Sequence, residues 1–461
     1  MVKESCGVFG VYGDRNASLL TYLGLYALQH RGQESAGIVV SDNGNVSFHR
    51  GLGLVNDVFS EEKLKKLKGD IAVGHVRYST TGSSCVRNIQ PFLVELKTST
   101  IALGHNGNLI NAVQLHDFLE KKGVIFQSTT DSEIIVHLIT HAQEEFLENK
   151  VISSIKKLKG AFSLVFMMQD VLIGARDPFG FRPLCLGRLG KSFILASETS
   201  ALDLINAKYI RDIKPGEVVF ISKKGIKSVI ASAVKRQSFC MFEYIYFARP
   251  DSNIFGHNVY KVRKSLGEQL AEEVNIDADL VVPIPDSGNY AALGFAQKKN
   301  IVYEPAVIRN HYIGRTFIEP SQRMRDLKVK LKLNPAKEVI KGKKIIIVED
   351  SIVRGTTTKA RIVALREAGA KKIHMLVSCP PIRYPCFYGI DFPTKKELIA
   401  SSKSIEEIRR FLGLDSLHYL TFKGLLRVMH RQKNQLCFAC FNGRYPEAVN
   451  KKISKTSLET R

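Results

Sequence analysis

The sequence lacks any hydrophobic run long enough to cross a membrane. Its longest apolar runs, such as Leu280–Val282 and Ile345–Val348, have the length of strands, whereas a membrane-spanning helix needs about 20 apolar residues. The opening residues Met1–Ser5 carry no apolar stretch and do not resemble a secretory signal. These absences predict a cytoplasmic protein without a membrane partner, and the length predicts two or three domains.

The chain is also short of acidic residues. It has 67 Lys and Arg against 44 Asp and Glu, for a formal net charge of +23. Residues 1–231 carry 27 basic against 22 acidic residues, and residues 232–461 carry 40 against 22, so the excess lies in the second half. Such a charge favours polyanions, but aromatic RNA-binding motifs and zinc-finger spacings are missing. The polyanions in question are nucleic acid, a membrane surface or a heavily phosphorylated small substrate, and we expect no nucleic-acid partner. Much of the excess is scattered lysine, which more often forms a solvated face than a site.

A disulfide framework is not expected either, because a long chain without a secretory signal usually keeps its thiols reduced. The eight cysteines are Cys6, Cys85, Cys185, Cys240, Cys379, Cys386, Cys437 and Cys440. Cys437 and Cys440 form a C-x-x-C pair, whose spacing indicates a metal site, redox chemistry or a chance occurrence, in that order when further cysteines lie nearby.

Among the residues that are present, Cys6 is the most informative. If the five residues before it are removed, its own α-amine becomes available as a general base for the thiol. The alternative is an ordinary small apolar residue in an opening strand, because free cysteine is often buried.

The first half is rich in short strand-like runs broken by Gly and Asn, which indicates stacked antiparallel sheets with outer helices. Three polar clusters lie among these runs: His30–Gly37, Gly74–Gly82 and Gly104–Asn108. Asn106 and Gly107 are either a simple turn or donors to an oxyanion. Arg77 is either a surface residue or a guanidinium that binds an α-carboxylate through two hydrogen bonds. Asp131 is either a helix cap or the partner of an ammonium group.

Taken in order, these segments resemble the N-terminal-nucleophile, class II glutamine amidotransferases. The resemblance implies a four-layer αββα sandwich over residues 6–231, preceded by a leader, Met1–Ser5. It makes Cys6 the nucleophile that forms a glutamyl thioester and releases ammonia. It also makes Arg77 and Asp131 the clamps on glutamine, and Asn106 and Gly107 the oxyanion hole.

The second half contains one distinctive segment, 343–359, with the sequence KKIIIVEDSIVRGTTTK. It predicts a buried strand, two acids at the strand end, a Gly/Thr-rich loop and a helix, which is how a doubly wound sheet binds phosphate. A Walker loop is excluded because the Gly-Lys-Ser/Thr ending is missing. Glu349 and Asp350 suit a sugar diol or a divalent cation. The alternative is a solvated strand end with a capping threonine.

This segment resembles the signature of type I phosphoribosyltransferases, which bind phosphoribosyl pyrophosphate (PRPP) with Mg²⁺. The resemblance makes Glu349, Asp350 and Ser287 magnesium-side residues and likens Arg309–Pro335, with Gly314–Ile318, to a mobile loop that closes over PRPP. It assigns five residues to the substrate: Arg354, Gly355, Thr356, Thr357 and Thr358.

The order of the two halves resembles the amidophosphoribosyltransferase family. The resemblance implies synthesis of 5-phosphoribosylamine, glutamate and pyrophosphate from glutamine, PRPP and water, at the start of purine synthesis, with ammonia passing through an internal tunnel. It implies a homotetramer inhibited by purine nucleotides. We assign residues 232–450 to the phosphoribosyltransferase and its cluster region, and residues 451–461 to a basic tail.

Four cysteines match the iron–sulfur branch of this family: Cys240, Cys386, Cys437 and Cys440. The resemblance implies that they bind a [4Fe–4S] cluster lying away from the chemistry. Spacing alone equally permits a Cys₄ zinc site. Cys379 is a competing ligand that only the resemblance demotes.

Two positions depart from the family pattern. Ser5 stands where the leader-bearing branch usually has glutamate, and Arg309 stands where lysine is usual. Arg309 keeps the charge but changes the donor geometry.

Two other functions stay open from the sequence. One is a glutaminase that serves another acceptor, as in hexosamine synthesis. The other is a non-enzymatic PRPP sensor that binds nucleic acid with its basic half.

Overall fold

In the computed structural model, the described residues are 6–78, 82–97, 99–310, 333–390, 392, 394–430, 433–449 and 458–459. The predicted leader, the Gly314–Ile318 segment and most of the predicted basic tail lie outside these ranges.

The first half contains two antiparallel sheets. The first has seven strands, in the spatial order Lys208–Asp212, Cys185–Leu189, Ser192–Ala196, Gly7–Tyr12, Ile71–Arg77, Ser35–Asp42 and Asn45–Leu52. The second has six strands, in the order Gly225–Ile230, Glu217–Ser222, Val171–Arg176, Gly160–Met168, Thr100–Leu109 and Phe92–Glu95.

Apolar side chains from both sheets form a shared layer between them. Val8 and Val73 of the first sheet cluster there with Val165 and Leu172 of the second. A side chain at Gly10 would place its Cβ 2.6 Å from Val165, so the absence of a side chain allows this close approach. Strands covered on both faces have no solvent side, which explains why every residue of Gly7–Tyr12 is buried.

Helices cover the outer face of each sheet. Those packed near the first sheet are Ala17–Ala27, Val55–Val58, Glu61–Lys66 and Thr199–Leu204. Those packed near the second are Ala112–Glu120, Asp131–Thr140 and Leu147–Ile155. The result is the predicted αββα sandwich, which is confirmed.

The second half is built on a parallel sheet of five strands. Their order is Val302–Tyr303, Leu280–Pro283, Lys344–Glu349, Lys372–Val377 and Ser416–Tyr419. The described part of this half contains the helices Val259–Glu273, Asn289–Lys299, Lys337–Ile340, Thr356–Glu367, Ile399–Ser402, Ile405–Leu412, Phe422–Val428 and Ala439–Asn442. Ile345, Ile346, Ile347 and Val348 are fully buried, as expected of a central strand in a sheet of this kind. The predicted phosphoribosyltransferase fold is confirmed.

Shorter elements connect these units. Three two-stranded pairs join Phe239–Cys240 to Leu436–Cys437, Asn253–Ile254 to His257–Asn258, and Val307–Arg309 to Leu333–Pro335. The 3₁₀ turns are Val86–Asn88, Lys395–Glu397 and Lys433–Gln435, and Glu243–Phe247 forms a π turn. Among the described residues, no helix has the length and apolar character needed to cross a membrane.

Candidate active site

Cys6 lies immediately before the central Gly7–Tyr12 strand and is buried. Its thiol donates to the carbonyl of Tyr78 at 3.2 Å, and the N–H of Tyr78 lies 3.4 Å from the sulfur. Burial raises the pKa of the Cys6 thiol; the nearby Arg77 charge opposes the rise, whereas the charges of Glu34 and Asp131 add to it. The thiol therefore needs a base to become the nucleophile at neutral pH.

Asn106 and Gly107 lie side by side near the end of the Thr100–Leu109 strand. The Asn106 amide is buried, and neither its nitrogen nor its oxygen has a hydrogen-bond partner among the described residues. A buried amide without a partner is costly unless a ligand completes it. A Cβ on Gly107 would lie 2.0 Å from the carbonyl oxygen of Ala161, so only glycine fits there. Both observations suit a site reserved for a substrate oxygen.

Arg77 ends the Ile71–Arg77 strand with its guanidinium buried. It donates to the carbonyls of Ser83 and Gly82 at 3.2 and 3.4 Å and lies 3.9 Å from the Glu34 carboxylate. Ser83 is further held by Glu459, whose carboxylate accepts from the Ser83 N–H at 2.5 Å. No pattern along the chain indicated this contact between Ser83 and Glu459.

Asp131 is the first residue of the Asp131–Thr140 helix and is buried. Its carboxylate accepts from the N–H of Leu109 at 2.9 Å and lies 3.6 Å from His105 Nδ1. The bond to Leu109 ties Asp131 to the strand that carries Asn106 and Gly107. Asp131 is therefore more than a helix cap, and it lies near enough to Cys6 to influence the pKa of the thiol.

The structure adds a buried charge network behind Cys6 that sequence reasoning missed. Arg31 donates through Nε to the carbonyl of Cys6 at 3.0 Å and through Nη1 to Glu198 at 2.5 Å. Its Nη2 donates to Glu243 of the second half at 2.7 Å, and Arg182 donates to the same carboxylate at 2.9 Å. Arg31 belongs to the polar cluster His30–Gly37, but its partners are separated from it by 167 and 212 residues.

In the second half, Glu349 and Asp350 lie at the carboxyl end of the Lys344–Glu349 strand, and both are buried. Asp350 accepts from the Ser287 hydroxyl at 2.5 Å and from the Ser351 hydroxyl. Glu349 pairs with Arg361 and accepts from Thr358 at 3.3 Å.

Burial raises the pKa of Glu349. The Arg361 charge opposes the rise and the Asp350 charge adds to it. The predicted metal-side residues Ser287, Glu349 and Asp350 thus come together, although 62 residues separate Ser287 from Glu349 in the sequence.

The predicted phosphate loop runs into a helix as expected. Gly355 has φ +76° and precedes the Thr356–Glu367 helix, so Thr356, Thr357 and Thr358 form its first turn. Free N–H groups at a helix start suit phosphate. Arg354 is half exposed and pairs with Glu397 at 2.9 Å, which turns it toward the 395–397 segment. Arg309 pairs with Asp286 at the mouth of the Ser287 loop.

The cysteines Cys240, Cys386, Cys437 and Cys440 gather at the boundary between the halves. Cys240 and Cys437 are register partners in a parallel strand pair. Burial raises the pKa of Cys440, and the charges of Cys437, Cys240, Cys386 and also Cys379 add to the rise. All four thiols are free. Burial raises the pKa of Cys240 to about 12, and the guanidinium of Arg182 opposes this rise.

The loop that carries Cys386 also contacts the first half. The carbonyl of Phe387 accepts from Asn108 at 3.0 Å, and a Cβ on Gly389 would lie 2.9 Å from the carbonyl carbon of Gly107. The resemblance implied a cluster away from the chemistry. The backbone next to Cys386 nevertheless reaches the predicted oxyanion hole.

Comparison with known proteins identifies both halves. Residues 75–204 match the family model of a glutamine amidotransferase domain, and residues 253–386 match that of a phosphoribosyl transferase domain. The chain is 46% identical to amidophosphoribosyltransferase of Bacillus subtilis (strain 168) over 453 residues, which are 97% of this chain and 95% of that protein. The chain belongs to the amidophosphoribosyltransferase family. It is therefore a transferase enzyme, as predicted.

Other amidophosphoribosyltransferases are similarly close. The protein of Methanothermobacter thermautotrophicus is 47% identical over 98% of this chain and 97% of that protein. A chloroplastic amidophosphoribosyltransferase 2 of Arabidopsis thaliana is 48% identical over 96% of this chain and 80% of its own length.

Among solved structures, glutamine PRPP amidotransferase from B. subtilis, complexed with ADP and GMP, has a TM-score of 0.92. It is 46% identical, over 97% of this chain and 99% of that chain.

Proposed function

We propose that this amidophosphoribosyltransferase converts glutamine, PRPP and water to 5-phosphoribosylamine, glutamate and pyrophosphate, the first committed step of purine synthesis. The observation that carries the proposal is the pairing of two complementary sites in one chain. The first half contains a buried thiol and a buried amide that has no hydrogen-bond partner among the described residues, and Arg77 and Asp131 carry charges that act on the thiol. In the second half paired acids stand beside a helix start that suits phosphate.

In the glutaminase half, which we assign to residues 6–231, the Cys6 sulfur attacks the side-chain carbonyl carbon of glutamine. The C–N bond breaks, ammonia leaves, and a glutamyl thioester stays on Cys6 until water hydrolyses it to glutamate. The base is the α-amine of Cys6 if the bond after Ser5 is cut. Such a base would offset the raised pKa of the buried thiol.

The remaining residues of this half hold glutamine and its developing charge. The guanidinium of Arg77 is suited to the α-carboxylate, and the carboxylate of Asp131 is suited to the α-ammonium. Asn106 Nδ2 and the N–H of Gly107 would donate to the oxyanion of the tetrahedral intermediate. Removing one such donor commonly lowers turnover by about a hundredfold to a thousandfold.

In the acceptor half, which we assign to residues 232–450, Glu349 and Asp350 hold the ribose diol and the 354–358 loop holds the 5-phosphate. The donor set fits Mg²⁺, because Asp350, Glu349 and the Ser287 hydroxyl offer the hard oxygen ligands that this ion prefers. When bound, Mg²⁺ would neutralise charge on the pyrophosphate leaving group. To bind the diol or Mg²⁺, Glu349 would first have to break its ion pair with Arg361.

We assign Cys240, Cys386, Cys437 and Cys440 to a [4Fe–4S] cluster, which places the chain in the iron–sulfur branch. Four thiolates are the ligand set of a [4Fe–4S] cluster, and they would equally suit a Cys₄ zinc site. The Arg182 charge beside Cys240 suits a negatively charged cluster.

Regulation and assembly follow the family. A related structure is complexed with ADP and GMP, which supports feedback inhibition by purine nucleotides here. We also propose a homotetramer and a cytoplasmic location, although some plant relatives are chloroplastic.

The test of this function uses glutamine labelled with ¹⁵N in its side-chain amide. With PRPP and Mg²⁺ present, the label should appear in 5-phosphoribosylamine even against excess unlabelled ammonium, because ammonia passes internally. Product formation that requires fructose 6-phosphate instead of PRPP would favour a hexosamine acceptor. Salt-sensitive nucleic-acid binding without glutamine hydrolysis would favour the sensor.

A further inference from the structure

One loop of the acceptor half lies directly on the predicted oxyanion hole. The Cβ that an alanine would add at Gly389 would lie 2.9 Å from the carbonyl carbon of Gly107 and 3.1 Å from its Cα. Such short contacts force a shift, because the atoms they involve are backbone rather than flexible side chain. Gly389 also has φ +88°, a conformation that favours glycine.

The two residues before Gly389 also contact the glutaminase half, Phe387 at the same strand and Tyr388 at Phe181. Asn108 donates to the carbonyl of Phe387 at 3.0 Å. The ring of Tyr388 stacks on Phe181 with centroids 4.2 Å apart, and its hydroxyl donates to the carbonyl of Glu447 at 2.8 Å. Three consecutive acceptor-half residues therefore touch the glutaminase half.

The loop is itself held in place by buried groups of both halves. Arg182 donates through Nη2 to the carbonyl of Tyr388 at 2.8 Å and through Nη1 to Glu243. Glu447 accepts from the N–H of Gly160, which is the register partner of Leu109 at the end of the oxyanion strand. The paired strands Thr100–Leu109 and Gly160–Met168 are therefore each bonded to a residue of the acceptor half, Phe387 and Glu447 respectively.

We infer that the acceptor-half loop Phe387–Gly389 positions the peptide of Gly107, so that the oxyanion hole is complete only when this loop is seated. The inference rests on the proposed role of Asn106 and Gly107. Oxyanion stabilisation depends on donors placed about 2.7–3.1 Å from the developing charge. A shift of the Gly107 peptide by a fraction of an ångström would therefore lower the rate of thioester formation without altering the thiol of Cys6.

The decisive variant is Gly389→Ala in the full-length holoenzyme, with Gly413→Ala as the matched control. Gly413 lies in the same half with a similar φ of +74°, but a Cβ there would meet nothing within 4 Å. The control therefore carries the same backbone strain without the contact on Gly107.

We expect Gly389→Ala to lower kcat for glutamine-dependent synthesis at least about tenfold. Ammonia-dependent synthesis should be unchanged, and so should alkylation of Cys6 by iodoacetamide, followed by mass spectrometry. Gly413→Ala should retain both activities. Equal glutamine turnover in the two variants would overturn the inference, and so would parallel loss of glutamine- and ammonia-dependent activity in Gly389→Ala.

Asn108→Asp provides a second test that leaves Gly389 intact. It keeps the shape of the side chain but replaces the donor to Phe387 with a carboxylate that repels its carbonyl. We expect the same selective loss of glutamine turnover, at a smaller magnitude. If Gly389→Ala does not accumulate as folded protein, this variant decides, and full glutamine turnover in it would overturn the inference.

Asn106→Ala separates this inference from the function on which it rests. If Asn106→Ala keeps full glutamine turnover, the oxyanion assignment fails, and the loop inference fails with it. If Asn106→Ala loses turnover while Gly389→Ala and Asn108→Asp keep it, only the positioning inference fails.

Discussion

The two active sites differ in how their polar groups are satisfied before a substrate arrives. In the glutaminase half, the Asn106 amide is buried and has no hydrogen-bond partner among the described residues. In the acceptor half, Glu349 and Asp350 are fully engaged by Arg361, Ser287 and neighbouring hydroxyls. A buried polar group without a partner costs about 1–3 kcal/mol, and a ligand that completes it recovers this. The Asn106 amide is therefore available to a ligand, although Arg77 and Asp131 of the same half are already engaged. Glu349 and Asp350 would exchange partners on binding the proposed PRPP and Mg²⁺.

The largest expected effect separates the two halves at Cys6. Cys6→Ala should lower glutamine-dependent synthesis by more than about a thousandfold, because the attacking sulfur is lost. Ammonia-dependent synthesis should persist, because the acceptor half needs no thiol.

The measurement is the rate of 5-phosphoribosylamine synthesis by one preparation of each variant, with glutamine and then with ammonium chloride as the nitrogen source. Cys85→Ala, a substitution in the same half, serves as the control and should retain both rates. Loss of both activities in Cys6→Ala would refute the division of labour between the halves.

The reciprocal change lies in the acceptor half. Asp350→Asn should reduce both glutamine- and ammonia-dependent synthesis about a hundredfold or more. The substitution removes a negative charge that we propose binds the ribose diol of PRPP and Mg²⁺. Hydrolysis of glutamine to glutamate should continue.

The control is Asp279→Asn. The Asp279 carboxylate accepts from the N–H of Lys344, which begins the Lys344–Glu349 strand and so lies at the end opposite Asp350. It should retain synthesis. Asp350→Asn with normal ammonia-dependent synthesis would remove Asp350 from the acceptor site.

The boundary between the halves is tested through its cysteines. Cys437→Ser should remove a brown chromophore absorbing at roughly 400 nm and lower thermal stability, because the cluster loses a ligand. Iron, sulfide and zinc analysis of anaerobically purified protein measures occupancy. Cys379→Ser should keep the chromophore, since Cys379 donates to the adjacent Pro380 carbonyl and is not among the proposed ligands. A colourless wild-type protein loaded with zinc would contradict the cluster assignment.

The smallest expected effect concerns pH and the network behind Cys6. Burial would raise the pKa of Glu198, but His30 and Arg31 hold it below its usual value. Because the folded pKa lies below the unfolded value of about 4.3, this carboxylate stabilises the fold above that pH, and the contribution is lost as the pH falls toward the folded pKa.

Melting curves at about pH 6 and about pH 3.5 test this linkage. The wild type should lose more thermal stability over this interval than Glu198→Gln, by a few degrees. Glu406→Gln, at an exposed carboxylate of the acceptor half, should match the wild type, since exposed ion pairs contribute little. An identical loss in Glu198→Gln and the wild type would show that Glu198 is not the linked group.

Each local segment of the two proposed sites could be predicted because its own residues are close in sequence, whereas the approach of Ser287 to Asp350 could not. The acids, the Gly-Thr loop and the helix start of segment 343–359 are consecutive, so local propensities and spacing indicate their arrangement. The polar clusters of the first half are likewise contiguous. The network of Arg31, Glu198, Glu243 and Arg182 was missed, because its members are scattered and each one alone is an unremarkable charged residue.

The sequence by itself predicted the chemistry that we propose: the Cys6 thiol, an Asn-Gly pair as oxyanion donors, and acids beside a Gly/Thr-rich loop for phosphate. These depend on residue types at short spacing, which the chain displays directly. Only the tertiary structure decided how the halves meet, with Gly389 against Gly107 and Glu243 joined to Arg31 across 212 residues. The physical reason is that these contacts arise from packing between elements far apart in the sequence, and packing over such separations leaves no pattern along the chain.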